Sequence, residues 1–190
     1  GQDASARTHY CSADENVEAY NVCRHRHTPE IEQILELPGR IVFTPHLAPL
    51  RRGLLSTVTL PLADDLRGLS AEEAVAYYRD FYAGSPFARV LDAGQTPKTS
   101  SVVGSNACQI GLAVNSEAGA LIAVAAIDNL CKGAAGRRCS ARTSYSGSMS
   151  DEGCPCSPCP YNPVTFGRAH RFGGVTLGTG TFVSFSTQNV

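Results

Sequence analysis

The chain has 190 residues, of which 43% are apolar and 17% charged, and its formal net charge is −1. This balance is typical of a globular protein and excludes a disordered chain. Acidic and basic side chains are interspersed, so we predict neither nucleic acid nor a membrane as a partner. The longest apolar stretch, Ala118 to Ile127, is far shorter than the ~20 residues of a membrane span. The sequence shows no signal-peptide pattern, and the predicted location is cytoplasmic.

In chain order, the first predicted element is a half-buried strand at 17–22, where apolar and polar residues alternate. Thr28 is a good N-cap and Pro29 suits the first helical position, so a helix is predicted to begin there. The spacing i, i+3, i+4 predicts its apolar face, which consists of Ile31, Ile34 and Leu35. Leu, Val and Thr content then predicts strands at 40–44 and 53–62.

The second half of the predicted fold begins with a helix at 71–83, where Ser70 is the cap and Glu73 completes a capping box. Its inward side chains are predicted to be Ala74, Val75, Tyr78 and Phe81. Strands follow at 87–91, 108–114 and 120–127, and the last two are joined by a hairpin. Asp128 is predicted to cap a final helix that ends at Ala135.

The balance of elements indicates the fold class. Because strands outnumber helices and include a hairpin, we predict an α+β fold with a mixed, largely antiparallel sheet covered by helices. The sequence contains no Gly-rich phosphate loop. We therefore do not expect this chain to bind a dinucleotide pyrophosphate unaided.

The densest cluster of functional side chains extends from Arg24 to Glu30. His27 directly precedes the predicted N-cap, where the helix dipole favours the uncharged imidazole that a general base requires. Glu30 follows one turn later and could orient the ring. Arg24 and Arg26 are suited to bind a phosphate or carboxylate. A solvated basic loop that leads into a helix explains the same pattern, and spacing alone does not separate the two interpretations.

Two further segments carry candidate functional residues. A loop stiffened by Pro45 and Pro49 presents His46 and Arg52, which suit the wall of a substrate site but also an ordinary rigid connection. Asn129 follows a buried strand and could bind an amide-bearing ligand. An ordinary strand–helix junction accounts for its position equally well.

Histidines and cysteines raise the question of a metal site. His25, His27 and His46 could supply three imidazoles to zinc, but no further ligand has diagnostic spacing, so we predict no metal. The chain has 8 cysteines. Four of them are predicted to be free thiols, most of them buried: Cys11, Cys23, Cys108 and Cys131.

Four segments of the chain, in order, resemble one family: DENVEAYNVCRHRHTPEIEQ, FTPHLAPLRRGLLSTVTLPL, VVGSNACQIG and AIDNLCKGAAG. They span most of residues 8–136 and are similar to N-acetyl-γ-glutamyl-phosphate reductase, which is related to aspartate-semialdehyde dehydrogenase. The resemblance implies that residues 1–136 are a substrate-binding and dimerisation domain with a fold like the C-terminal domain of glyceraldehyde-3-phosphate dehydrogenase. It also implies NADP as cofactor and an acyl phosphate as substrate, in arginine biosynthesis.

In the implied reaction, a cysteine thiolate attacks the acyl phosphate, phosphate leaves, and a hydride from NADPH reduces the thioester. The resemblance implies that His27 is the acid–base partner of that cysteine and that Glu30 supports it. Asn129 is implied to face the nicotinamide. The residues implied at the substrate are His25, Arg26 and Arg52, and His46 from the stiffened loop is a further candidate for substrate binding.

Two features depart from the family. None of the four cysteines in residues 1–136 lies in the Asn-Pro-Gly-Cys-Tyr-Pro type of segment that carries the nucleophile, and the Rossmann-type nucleotide domain is missing. We therefore expect a fragment, inactive alone, of a homo-oligomeric parent enzyme. Two alternatives stay open: a lysine-pathway reductase that acts on a carrier-bound aminoadipyl phosphate, and a non-catalytic module that binds a small anion.

Residues 137–190 differ from the rest of the chain in being rich in Arg, Ser, Cys and Pro. A reconstructed codon series for a family-like helix, QAVQRANLVLGLDERRGL, reads RRCSARTSYSGSMSDEG once its first base is removed. That string is the sequence from Arg137 to Gly153. We therefore predict that 137–190 is an out-of-frame, poorly structured tail, in which Cys154, Cys156 and Cys159 do not form a zinc knuckle.

Overall fold

The computed structural model describes residues 9–135 and the backbone of Gln188–Asn189; the rest of the predicted tail lies outside the described residues. The helices are α1 (Tyr10–Ala13), α2 (His27–Leu35) and α3 (Ala71–Phe81), and short helical turns occur at Asp64–Leu66, Thr99–Ser101 and Cys131–Ala135. The strands are β1 (Glu18–Ala19), β2 (His46–Ala48), β3 (Leu54–Pro61), β4 (Ala88–Val90), β5 (Cys108–Asn115), β6 (Ala120–Ile127) and β7 (Gln188–Asn189). Over 9–135, no helix has the length and apolar character needed to cross a membrane.

A four-stranded sheet in the order β3-β6-β5-β4 forms the centre of the described structure. β6 pairs antiparallel with both β3 and β5, whereas β4 pairs parallel with β5. The hairpin between β5 and β6 contains Gly119, whose φ of +59° lies in the left-handed region that glycine adopts without strain. The predicted α+β fold with a mixed, largely antiparallel sheet is therefore confirmed.

The N-terminus of α3 has the predicted capping box. Ser70 Oγ accepts a hydrogen bond from the Glu73 amide at 3.2 Å, and Glu73 Oε2 accepts one from the Ser70 amide at 2.9 Å. Two backbone donors that the helix cannot satisfy are thus satisfied by side chains. The cap fixes where α3 begins and so which of its side chains meet the sheet.

The main core lies between α3 and one face of the sheet. Ala74 and Val75 are buried there, and Tyr78 packs against the same core. Burial of an aliphatic side chain the size of Val75 contributes about 1.5–3 kcal/mol. Phe81 is 47% exposed, so its predicted inward position is wrong. In the last turn of the helix its ring packs edge-on against Tyr82 instead.

The N-terminal strands are shorter than predicted. β1 contains two residues, and the segment predicted as a strand at 40–44 is irregular. The next strand is β2, which pairs antiparallel with β1 and parallel with β7. Ile41 and Phe43 are nevertheless buried. Every second side chain is therefore buried at 41–43, as in a strand, but the segment is irregular in its backbone.

α2 packs over this irregular segment. Ile31 and Leu35, one turn apart on the helix, contact the buried pair Ile41 and Phe43. Ile34 is 57% exposed, so its predicted place on the apolar face is wrong. Leu37, after the helix, and Val58 of β3 pack against the same buried pair, and Ile34 is left outside this contact.

The start of α2 also differs from the prediction. The helix begins at His27, its N-cap is Arg26, and Arg26 makes no side-chain capping bond. Thr28 Oγ1 is buried without a hydrogen-bond partner, so its predicted capping role is wrong. The His27 amide instead donates to Nδ1 of His25 at 3.2 Å, and an imidazole thus satisfies a donor at the helix start.

The sheet face opposite α3 is covered at one end by the loop that contains Gln95 and Pro97. A Cβ atom on Gly111 would lie 2.6 Å from the Gln95 carbonyl oxygen and 2.8 Å from Pro97 Cδ. Neither a backbone carbonyl nor a proline ring can move cheaply, so glycine is what allows this close approach. On the same face, Ile122 and Val124 are half-buried.

The four cysteines in the described residues are free thiols, as predicted, but most of them are not buried. Cys108 is buried and Cys131 half-buried, whereas Cys11 and Cys23 are exposed because they lie in the N-terminal segments outside the core. Burial raises the pKa of the Cys108 thiol to about 11. At neutral pH this thiol stays protonated and is unsuited to act as a nucleophile.

Candidate active site

A buried carboxylate stands at the end of β6 and holds three segments together. Asp128 is 0% exposed, and its Oδ2 accepts from Arg52 Nη2 at 2.7 Å and from the Gly104 amide at 2.6 Å. Its Oδ1 accepts from the amides of Leu130 and Cys131 at 2.9 and 3.2 Å. The predicted cap is thus confirmed, although the helical turn it precedes begins at Cys131.

The electrostatics of this carboxylate follow from its partners. Burial alone would raise the pKa of Asp128, but the hydrogen bonds from Gly104, Arg52, Cys131 and Leu130 outweigh burial and hold the pKa below its ordinary value. Asp128 is therefore ionised at neutral pH. Arg52 keeps its charge beside it and leaves 33% of its side chain exposed.

Asn129, the next residue, ties the same strand end to the start of β3. Its Oδ1 accepts a hydrogen bond from the Gly53 amide at 2.7 Å, and Gly53 has a φ of +120°. This bond fixes the orientation of the Asn129 carboxamide. Arg52 Nη2 also donates to Cys131 Sγ at 3.3 Å. Arg52 and Asn129 are therefore neighbours, each anchored through the β3–β6 junction.

The second group of candidate residues lies at the start of α2 and is centred on a buried imidazole. His25 is 7% exposed. Its ring makes edge contacts with the rings of Tyr20, Phe43 and His27, at centroid distances of 5.4, 4.9 and 4.7 Å. Because Nδ1 accepts from the His27 amide, His25 fixes the backbone of the residue that carries the predicted acid–base role.

The charged neighbours of His25 lie within electrostatic range of it. Burial lowers the pKa of His25, His27 and Arg26 lower it further, and the Glu30 carboxylate opposes them. The imidazole of His25 is therefore neutral at pH 7. His27 is half-buried, and Arg26 and Glu30 are exposed. These four residues form one cluster, in which Arg26 supplies a cation, Glu30 a carboxylate and His25 a fixed neutral ring.

His46 lies beside this group rather than in the predicted stiff loop. It begins β2 and faces Ala19 across the β1–β2 pair. The Tyr20 amide donates to the carbonyl oxygen of the preceding residue, Pro45, at 3.1 Å. Nδ1 of His46 is buried with no hydrogen-bond partner. The predicted loop position is therefore wrong, because backbone pairing draws His46 into a strand.

The structure thus places the predicted residues in two groups. His25, Arg26, His27 and Glu30 share the start of α2, and Arg52 and Asn129 share the β3–β6 junction. Sequence reasoning missed the ion pair of Arg52 with Asp128, although an acidic residue that ends an apolar strand is a usable signal. Within the described part of the chain, no three His, Cys, Asp or Glu side chains are placed to hold a metal ion.

Comparison with known proteins defines the class to which this fold and site belong. Residues 1–129 match the sequence profile of the family described as semialdehyde dehydrogenase, dimerisation domain. The match covers more than half of the chain. The protein belongs to this family, and its α+β fold is the fold of that domain.

Among the proteins similar to this chain are reductases from two bacteria. The chain is 50% identical over 142 residues to the N-acetyl-gamma-glutamyl-phosphate reductase of Geobacter metallireducens and 47% identical over 141 residues to that of Desulforamulus reducens. Each match covers 72% of this chain but 40% of the relative. The chain therefore spans about two fifths of the length of the reductases it resembles.

Proposed function

We propose that residues 1–136 are the substrate-binding and dimerisation domain of an NADP-dependent N-acetyl-γ-glutamyl-phosphate reductase, which makes N-acetylglutamate semialdehyde in arginine biosynthesis. The observation that carries the proposal is the identity of 46–50% to such reductases over 72% of the chain. The nucleophilic cysteine and the nucleotide fold would come from the larger part of the enzyme. We accordingly expect no reductase activity from this chain alone, and a cytoplasmic location stays a prediction.

The proposed acid–base residue is His27. Its imidazole is half-buried, its amide is fixed by His25, and Glu30 carries a carboxylate in the same cluster. In the proposed reaction His27 takes the proton from the attacking thiol and returns it when the product is released. Glu30 is proposed to support His27 in this exchange as the carboxylate of the same cluster.

The proposed substrate contacts are cationic because the substrate carries a phosphate and a carboxylate. Arg52 has a partly exposed side chain and one anchored edge, which suits binding of an anion. Arg26 is exposed at the start of α2, and His46 has a buried ring nitrogen that a ligand atom could satisfy. The burial of His25 supports a role in holding His27 rather than direct contact with substrate.

For the cofactor, the residue of this chain that fits is Asn129. Its carboxamide oxygen is engaged by Gly53, and the group is therefore held in one orientation. An amide NH2 in a fixed place suits the carboxamide oxygen of a nicotinamide. NADPH, when bound, supplies the hydride, and Asn129 would orient the nicotinamide ring.

We further propose that a second copy of the chain packs on the sheet face opposite α3. Cross-strand neighbours Thr57 and Val124, and Thr59 and Ile122, share this face and are half-buried. The family description as a dimerisation domain supports self-association. Val124→Glu should convert a dimer to a monomer in sedimentation equilibrium, whereas a dimer that persists in this variant contradicts the choice of face.

Residues 137–190 are proposed to be read out of frame. The share of the chain that the relatives match, 72%, is the share that residues 1–136 make up, which supports a boundary there. Resequencing the gene across codons 130–140 tests this. A nucleotide sequence that encodes a family-like helix once one base is added supports the proposal, whether the base was lost by mutation or by a sequencing error. A nucleotide sequence that encodes no such helix in a shifted frame contradicts it.

The proposed activity is tested with two chimeras. In both, the N-terminal part of the Geobacter metallireducens reductase precedes this chain; in the second, residues 137–190 are also replaced by the C-terminal segment of that reductase. We expect the second chimera to oxidise NADPH and release phosphate when given N-acetyl-γ-glutamyl phosphate, and the 190-residue chain alone to do neither. A folded, dimeric second chimera without activity would contradict the proposal.

A further inference from the structure

Asp128 is a fully buried carboxylate to which the proposed reaction gives no direct task. Its four donors come from three separate stretches of the chain: Arg52 just before β3, Gly104 after a helical turn, and Leu130 and Cys131 after β6. A buried charge with this many donors is costly to leave incomplete. The three stretches therefore keep one mutual arrangement as long as the carboxylate is present.

The two shortest contacts of the carboxylate share one oxygen atom. Oδ2 accepts from Arg52 Nη2 at 2.7 Å and from the Gly104 amide at 2.6 Å. The Gly104 bond fixes the oxygen against the backbone, and the oxygen fixes one end of the guanidinium. The Arg52 side chain as a whole stays 33% exposed, so a ligand can approach it, although its Nε atom is buried.

We propose that Asp128 is a positioning residue, which holds the Arg52 guanidinium ready to bind the phosphate or carboxylate group of the substrate. The proposal rests on the proposed function, which places Arg52 at that anionic group. A long, flexible side chain loses rotamer freedom when it binds a ligand, and anchoring it beforehand lowers this cost. Asp128 thus acts on affinity through Arg52, and it does not touch the substrate itself.

An ion pair on the surface, Arg79 with Asp92, provides a matched control. Arg79 Nη2 lies 2.6 Å from Asp92 Oδ1, with the side chains 50% and 71% exposed. Asp92→Asn removes a carboxylate from an arginine as Asp128→Asn does, with the same loss of charge. It does so away from the β3–β6 junction, so any effect of net charge on anion binding is matched.

The test is a titration of the full 190-residue chain with inorganic phosphate. Binding is monitored by NMR through the backbone amide signal of Gly53, a residue that every variant retains. We expect Arg52→Ala and Asp128→Asn each to weaken phosphate binding about tenfold, and the double variant no more than either. Asp92→Asn should bind as the unsubstituted chain does. Equal single and double losses are the signature of one residue acting through another, whereas independent effects multiply.

Each other result contradicts one identifiable step. Wild-type affinity in folded Asp128→Asn, with Arg52→Ala weakened, overturns the positioning role and leaves the proposed function intact. Unchanged affinity in Arg52→Ala, or no saturable binding by the unsubstituted chain, overturns the positioning role together with the proposed substrate contact of Arg52; the reductase assignment is tested separately by the chimeras.

A second measurement needs no variant and covers the case in which Asp128→Asn does not fold. In the unsubstituted chain, phosphate should shift the amide signals of Gly53, Gly104 and Cys131 with one dissociation constant, because Asp128 links all three stretches. A shift at Gly53 with no response at Gly104 and Cys131 would overturn the proposal.

Discussion

The two groups of site residues are held in place in different ways. At the β3–β6 junction, two strands of eight residues run side by side. At their end Asp128 adds an ion pair and accepts hydrogen bonds from three backbone amides. Near the start of α2, the strands β1 and β2 have two and three residues. The side chain of His25 is held there by ring contacts and by one hydrogen bond from the His27 amide.

This difference matches the tasks proposed for the two groups. Binding an anion requires a cation at a fixed place, and the Arg52 side is built on regular backbone with a satisfied buried charge. Proton exchange requires a ring that accepts and donates in turn, and the His27 ring packs edge-on against the buried ring of His25. The comparison teaches that one group is held mainly by hydrogen-bonded strands and a buried ion pair, and the other mainly by ring packing.

The largest effect is expected from Asp128→Ala, which breaks the junction. The substitution removes the buried carboxylate that accepts from three backbone amides and from Arg52, so the free energy of unfolding in urea should fall by about 3 kcal/mol. Asp92→Ala removes an exposed carboxylate and should cost less than about 1 kcal/mol. Equal losses in the two variants would show that the buried network stabilises the fold no more than an exposed ion pair does.

A smaller effect is expected where the sheet meets the covering loop. Gly111→Ala places a methyl group against the Gln95 carbonyl and the Pro97 ring, and overpacking of this kind costs about 1–3 kcal/mol. Gly84→Ala is the control, since a Cβ atom there meets nothing within 4 Å. Thermal unfolding should separate the two variants; a Gly111→Ala protein as stable as Gly84→Ala would mean that the loop is free to move.

The smallest effect is expected on the α2 side and depends on pH. Because burial, His27 and Arg26 keep the folded pKa of His25 below the ordinary 6.5, only the unfolded chain takes up a proton as pH falls through that value. Stability due to His25 is therefore complete above pH 7 and is lost on acidification, by at most about 1.4 kcal/mol per pH unit.

His25→Asn isolates this contribution, since its side-chain oxygen can still accept from the His27 amide but does not titrate. Urea unfolding at pH 7.5 and 5.5 should show a smaller loss of stability for His25→Asn than for the unsubstituted chain. The Asp128 network does not interfere, because a lowered carboxyl pKa acts only below about pH 3.8. The same pH dependence in both proteins would mean that folding does not lower the pKa of His25.

The regular half of the structure was predictable because each element carries its own local signal. The capping box at Ser70 and the two long apolar strands before Asn115 and Asp128 were read correctly from sequence. At 40–44, the residue content predicted a strand but the segment is irregular, so local content did not decide the outcome.

The candidate site shows the same limit. His27 and Arg52 were proposed from residue type and from the family resemblance, but the residues that hold them in place were not predicted. Capping by His25 depends on the rings of Tyr20 and Phe43, which meet it only in the fold. Likewise, Asp128 and Arg52 are distant in sequence, and only the antiparallel pairing of β3 with β6 brings them together.

The division of labour between the two groups is tested most directly by steady-state kinetics of the active chimera with His27→Ala and Arg52→Ala. We expect His27→Ala to lower kcat by about 100-fold or more with little change in KM, because its effect is on the reacting atoms. Arg52→Ala should raise KM about tenfold with kcat nearly kept, because an anion contact stabilises bound substrate and transition state alike. An undiminished kcat in the His27→Ala enzyme would contradict the account.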